Sequence, residues 1–69
     1  MEDVTLLLNG ESRAFPAPVT VAVLLGKLGL DVRKVAVERN LEIVPRSLYG
    51  ETLLTSGDAL EIVHFIGGG

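Results

Sequence analysis

Thr20-Val21-Ala22-Val23-Leu24-Leu25-Gly26-Lys27-Leu28-Gly29 is the only stretch of this chain with a helical pattern of any length. Thr20 can cap a helix by accepting a hydrogen bond from an early backbone N–H, and Val21, Leu24, Leu25 and Leu28 then fall on one helical face. Gly29 stands where a left-handed C-terminal stop is expected. Gly26, inside the pattern, costs about 1 kcal/mol relative to alanine and is read as a mark of close packing between helix and sheet. A single helix covers one face of a sheet, so the expected class is α+β, a roll rather than a doubly wound fold.

Toward the N-terminus, Val4, Leu6 and Leu8 alternate with Thr5, Leu7 and Asn9, the period of a strand with one face in the core. Leu7 belongs to the other face. Asn9-Gly10 is a strong two-residue hairpin signal, because a type I′ turn needs positive φ at both central positions. The return strand is expected over residues 11–15 with Phe15 in the core. Pro16 and Pro18 lack the N–H a ladder needs and end it.

Beyond the helix, alternation returns over 34–38, with Val35 and Val37 on one face and Ala36 on the other, and Asn40 is the expected turn residue. Ile43-Val44-Pro45 reads as extended, since the residue before proline avoids the α region. Arg46 to Tyr49 has the look of a short helical turn, with Tyr49 a partly buried packing residue, and 52–55 of a brief edge strand. Ser56-Gly57-Asp58 is a turn signal. The last strand is expected over 59–66, with Leu60, Ile62, His64 and Ile66 on one face and Ala59, Glu61, Val63 and Phe65 on the other. A long helical crossover and an apolar last strand favour pairing the first and last strands in parallel at the centre of a mixed four- or five-stranded sheet.

Composition narrows the function. At 69 residues there is room for one domain, which buries about 60% of its unfolded surface. An apolar fraction of 48% with 22% charge is that of a globular protein. Without cysteine the chain offers no disulfide, thiolate metal site or thiol nucleophile. Neither a signal peptide nor an apolar run of membrane-spanning length is seen, so the expected compartment is the cytoplasm. The net charge of −3, with its basic residues scattered, forms no stripe for phosphates, which argues against nucleic acid and for a basic protein surface as partner.

The chain stops at Phe65-Ile66-Gly67-Gly68-Gly69. Glycine supplies neither nucleophile nor acid or base, so the chemistry such a tail offers is its terminal carboxylate, inert until another enzyme activates it. The missing Cβ lets backbone pass where other residues would clash. A frayed end is the plain alternative. Residues 1–66 are expected to form the domain and 67–69 a flexible tail reaching about 10 Å. Ordering each backbone residue costs roughly 1–2 kcal/mol, so threading three glycines into a channel requires docking energy from the body. Leu7, Val63 and Phe65, left on the uncovered face, form the apolar docking patch that this expectation needs, with Ile66, Gly67 and Gly68 completing the partner-binding set.

Other chemistry is weakly signalled. His64 with Glu61 or Asp58 invites an acid/base or metal reading, but a lone strand histidine is more often structural. Glu38, Glu42 and Glu51 read as solvated charges, without the paired spacing of general acid/base catalysis. Arg46 either bridges to a partner or faces water.

Val35-Ala36-Val37-Glu38-Arg39-Asn40, Ile43-Val44-Pro45-Arg46, Ser56-Gly57-Asp58 and the terminal Gly68-Gly69 together resemble the ThiS family, the sulfur carriers of thiamin thiazole biosynthesis. The resemblance covers nearly the whole chain. Gly-Gly alone is shared with ubiquitin and its relatives; the combination is more specific. One departure is Leu41, where related carriers often have glycine or a polar residue after the asparagine. The resemblance implies a ubiquitin-like β-grasp fold and a protein co-substrate rather than an enzyme. A ubiquitin-activating-type adenylyltransferase, using its own ATP and Mg²⁺, would adenylate the Gly69 carboxylate. A sulfur donor protein would then supply persulfide or sulfide to give a thiocarboxylate, and thiazole synthase would take the sulfur. No cofactor is expected on this chain, and the free carrier is expected to be a monomer. Three other readings stand beside it: a carrier for molybdopterin or another sulfur-containing metabolite, a protein modifier forming isopeptide bonds, and a β-grasp interaction module whose glycines are incidental.

Overall fold

A computed structural model describes residues 2–65 of the chain. Strands β1 (Asp3–Leu8) and β2 (Glu11–Pro16) form the expected hairpin, followed by the helix α1 (Val21–Lys27), β3 (Val35–Arg39), β4 (Glu42–Ile43) and β5 (Ala59–His64). The sheet order is β2-β1-β5-β3-β4, with β1 and β5 parallel and the other pairs antiparallel. This mixed sheet with one helix on one face is the ubiquitin-like β-grasp arrangement.

Local rules explain the turns. Asn9 and Gly10 take φ 47° and 86°, the two positive values a type I′ hairpin needs. Thr20 accepts the Val23 N–H at 3.2 Å and caps α1. At the other end Gly29 turns left-handed with φ 72°, its N–H donating to the Gly26 carbonyl while Leu30 N–H donates to that of Leu25. That crossed pair is a Schellman stop. A helix of seven residues has no stability of its own, so packing holds it. Val21, Leu24 and Leu25 are fully buried against Val4, Leu6 and Leu8 of β1, Val35 and Val37 of β3 and Leu60 of β5.

Four expectations need correction. Gly26 does not mark close packing: it is exposed, and a Cβ built there meets nothing within 4 Å. Residues 52–55 are not an edge strand. Leu54 is buried with its N–H on the Val19 carbonyl, and one bridge joins Thr20 to Leu53, so this segment pairs with the entry to α1. The sheet edge is instead the two-residue β4. Tyr49 is wholly in the core, since the 3₁₀ turn Arg46–Leu48 tucks it inward. Lys34 precedes β3, in a 3₁₀ turn Val32–Lys34 that the sequence pattern does not signal. Asp31 caps that turn by accepting Arg33 N–H, and the Arg33 guanidinium at 3.0 Å, the larger influence, holds its carboxyl at about 2. The last strand is regular over Ala59–His64, and Ile66 lies outside the described residues.

Candidate functional site

The site expected from the sequence is the end of β5 together with the four residues that come after Phe65. Gly67, Gly68, Gly69 and Ile66 lie outside the described residues, so the structure bears on the strand that leads to them. β5 is the central strand, with β1 on one side and β3 on the other. Its pairing runs from Leu60 opposite Arg39 to His64 opposite Val35, and Phe65 N–H adds one more bond, to the Lys34 carbonyl at 2.8 Å.

Two turn asparagines fasten β5 from opposite sides. The hairpin residue Asn9 reaches across with its side chain: Oδ1 accepts Ile62 N–H at 2.7 Å and Nδ2 donates to the Ile62 carbonyl at 3.2 Å. The amide thus stands in for one more strand residue where β1 has already turned away. Asn40, between β3 and β4, does the same at the start of β5: its Oδ1 accepts Ala59 N–H at 2.9 Å and its own N–H donates to the Ala59 carbonyl at 2.7 Å.

Beneath that turn, Asp58 is buried and fully engaged. Its carboxylate accepts from Arg39 Nε at 2.9 Å, Thr55 N–H at 2.9 Å and Asn40 Nδ2 at 3.1 Å. Burial is the largest single influence on this carboxyl and pushes its pKa up. The Thr55, Asn40 and Arg39 hydrogen bonds together outweigh it and hold the group below its ordinary value. Asp58 is therefore a structural anion, and it does not join the imagined set with His64, which lies exposed at the other end of β5. Among the described residues no group of three or more His, Asp or Glu side chains is placed to hold a metal ion. Arg46 is exposed, and its guanidinium donates to the Arg33 carbonyl at 3.3 Å, tying the two 3₁₀ turns together. No helix among the described residues is long and apolar enough to cross a membrane.

Leu7, Val63 and Phe65 are all exposed, at 46%, 60% and 51%. They do not make one patch. Leu7 is level with Ala59, so Val63 stands four residues farther along β5, about 13 Å, with Glu61 between on the same face. Val63 and Phe65 flank the tail root, and Leu7 is set back. Ile43, 65% exposed on β4, also belongs to this uncovered face because it pairs with Glu38. Sequence alone passes it over, since Ile43-Val44-Pro45 reads simply as extended chain. Asn9, Asn40 and Arg39 are likewise not legible as supports of β5; a turn asparagine signals positive φ, but its cross-strand partner is not signalled.

Comparison with known proteins agrees with this architecture. The model of the ThiS family matches residues 6–69. A sulfur carrier protein ThiS of Bacillus subtilis is 42% identical over 65 residues, covering 93% of this chain and 98% of that protein. A crystal structure of a thiamine biosynthesis protein (ThiS) from Geobacter metallireducens superposes with a TM-score of 0.81 at 32% identity, over 96% of this chain and all of that one. A thiazole synthase of Paramagnetospirillum magneticum is 64% identical over 64 residues, but the chain spans only 20% of its length. On this family match and these similarities, the chain belongs to the ThiS family.

Proposed function

We propose that this protein is a sulfur carrier of thiamin biosynthesis, a co-substrate rather than a catalyst, whose Gly69 carboxylate carries the sulfur. The observation that supports the reading best is the match to the Bacillus carrier across 98% of that protein's length. The family model also extends through Gly69.

In the proposed sequence a carboxylate oxygen of Gly69 attacks the α-phosphorus of ATP on a partner adenylyltransferase, with Mg²⁺ there balancing the phosphate charge, and pyrophosphate leaves. The acyl-adenylate is an electrophile that the bare carboxylate is not. Sulfide, delivered by a donor protein, adds to the carbonyl and expels AMP, leaving a thiocarboxylate; a persulfide donor needs a further thiol to release it. Thiazole synthase is the proposed acceptor, supported by the presence of a closely similar segment within a protein of that name. This chain contributes the carboxylate and a rigid root. β5, pinned by Asn9 and Asn40, presents its end beside exposed Val63 and Phe65. The nucleotide, metal and nucleophile belong to the partners, and a monomer in the cytoplasm suffices for this role.

Incubation with a matched adenylyltransferase, ATP, Mg²⁺ and a sulfur source, followed by intact mass measurement, tests the reading. Exchange of one oxygen for sulfur at Gly69 is expected. Conjugates to lysines would establish a modifier instead, transfer to a molybdopterin precursor rather than a thiazole one would establish the sister pathway, and an unchanged mass would reject all of these.

A further inference from the structure

We propose that the uncovered face of the sheet docks a protein partner by holding one of its basic side chains, an arginine by preference, between Glu38 and Glu61. The strand register puts these residues directly opposite each other across β3 and β5. Their side chains leave the same face, with Cβ atoms about 5 Å apart, and like charges directly opposite destabilise a sheet. Among the described residues neither glutamate is in an ion pair. The ion pairs there are Arg33 with Asp31 and Arg39 with Asp58. Arg13 lies over the Phe15 ring at 5.4 Å, and Arg46 is on the Arg33 carbonyl.

The surroundings suit a protein rather than a free cation. Ile43 sits opposite Glu38 on β4, and Val63 comes two residues after Glu61 along β5, both exposed. An arginine inserted between the carboxylates would lay its stem on these apolar groups while its planar fork meets both anions. Leu41, at the tip of the adjoining β3–β4 turn, is a second feature that the free chain carries at a cost. It is 89% exposed and left-handed at φ 72°, a position that favours glycine or asparagine. A repelling pair on the uncovered face and a strained, exposed leucine in the adjoining turn are both compensated by a partner that is cationic and apolar there.

The inference rests on the carrier reading only in the choice of probe, the thiazole synthase from the same source. Binding of the wild-type chain, of Glu38→Gln with Glu61→Gln, and of Leu41→Asn is measured by calorimetry at two salt concentrations, beside thermal melting of each free protein. The glutamine pair is expected to melt higher than wild type, to bind roughly tenfold or more weakly and to lose most of the salt dependence. Leu41→Asn is expected to melt higher and bind more weakly as well. Synthase binding by the glutamine pair equal to wild type overturns the proposal. A wild-type chain that acquires sulfur at Gly69 but does not bind the synthase also overturns it, leaving the carrier reading intact. Binding through the glutamates without any sulfur exchange rejects the carrier reading alone.

Discussion

At the scale of single residues, Asp58 shows how a surface-looking turn becomes a buried support. Ser56-Gly57-Asp58 reads as a turn from sequence, and it is one, with Gly57 at φ 96°. What composition does not reveal is that the carboxylate faces inward to meet Arg39, Asn40 and Thr55. Its folded pKa lies below the ordinary value of 3.8. The stabilisation it confers is therefore complete above the unfolded value and is lost as pH falls through the folded one. Asp58→Asn is expected to cost about 1–3 kcal/mol at neutral pH. Urea unfolding of the two proteins across pH should show that gap closing below about pH 3.8; a constant gap would mean that the carboxylate charge contributes nothing.

Among the elements, α1 is the clearest from sequence and also holds the sharpest misreading. Its cap, its buried stripe and its glycine stop arise from local chemistry, and each stands where the pattern puts it. Gly26 does not serve packing, because the helix turns that position to solvent. Gly26→Ala is accordingly expected to stabilise the protein by about 0.5–1 kcal/mol, measured as a rise in thermal midpoint; a fall would restore the close-packing interpretation. The segment 52–55 departs from expectation for a related reason. A short run with one buried leucine is compatible with an edge strand or with a plug under a helix entry, and the choice depends on what lies across from it.

For the molecule as a whole, the central strand β5 is fixed at its start by parallel pairing with β1 and along its length by antiparallel pairing with β3. The Asn9 side chain takes over from β1 at Ile62, and β3 holds the strand as far as Phe65, whose N–H is on the Lys34 carbonyl, so the strand that leads to the glycines is positioned by the body. Removing Gly69, or adding a residue after it, is expected to abolish sulfur exchange in the mass assay while leaving the melting curve unchanged. Exchange at the wild-type rate in the extended protein would show that this carboxylate is not the site.

Most of the fold was legible in the sequence because its signals are local. Alternation marked β1, β3 and β5, Asn9-Gly10 marked the hairpin, and a solitary amphipathic run left only one face of the sheet covered. Burial of Val4, Leu6 and Leu8 with exposure of Leu7 comes from strand period alone. The amino-acid order also determined the terminal glycines and, through its motifs, the family. Register was left to the tertiary structure, since it depends on which residues meet across strands far apart in sequence. That is why Leu7 is separated from Val63 by Glu61, why Asn9 and Asn40 clasp β5, and why Glu38 faces Glu61. Those pairings come from backbone hydrogen bonding over a shared core, which local pattern does not encode.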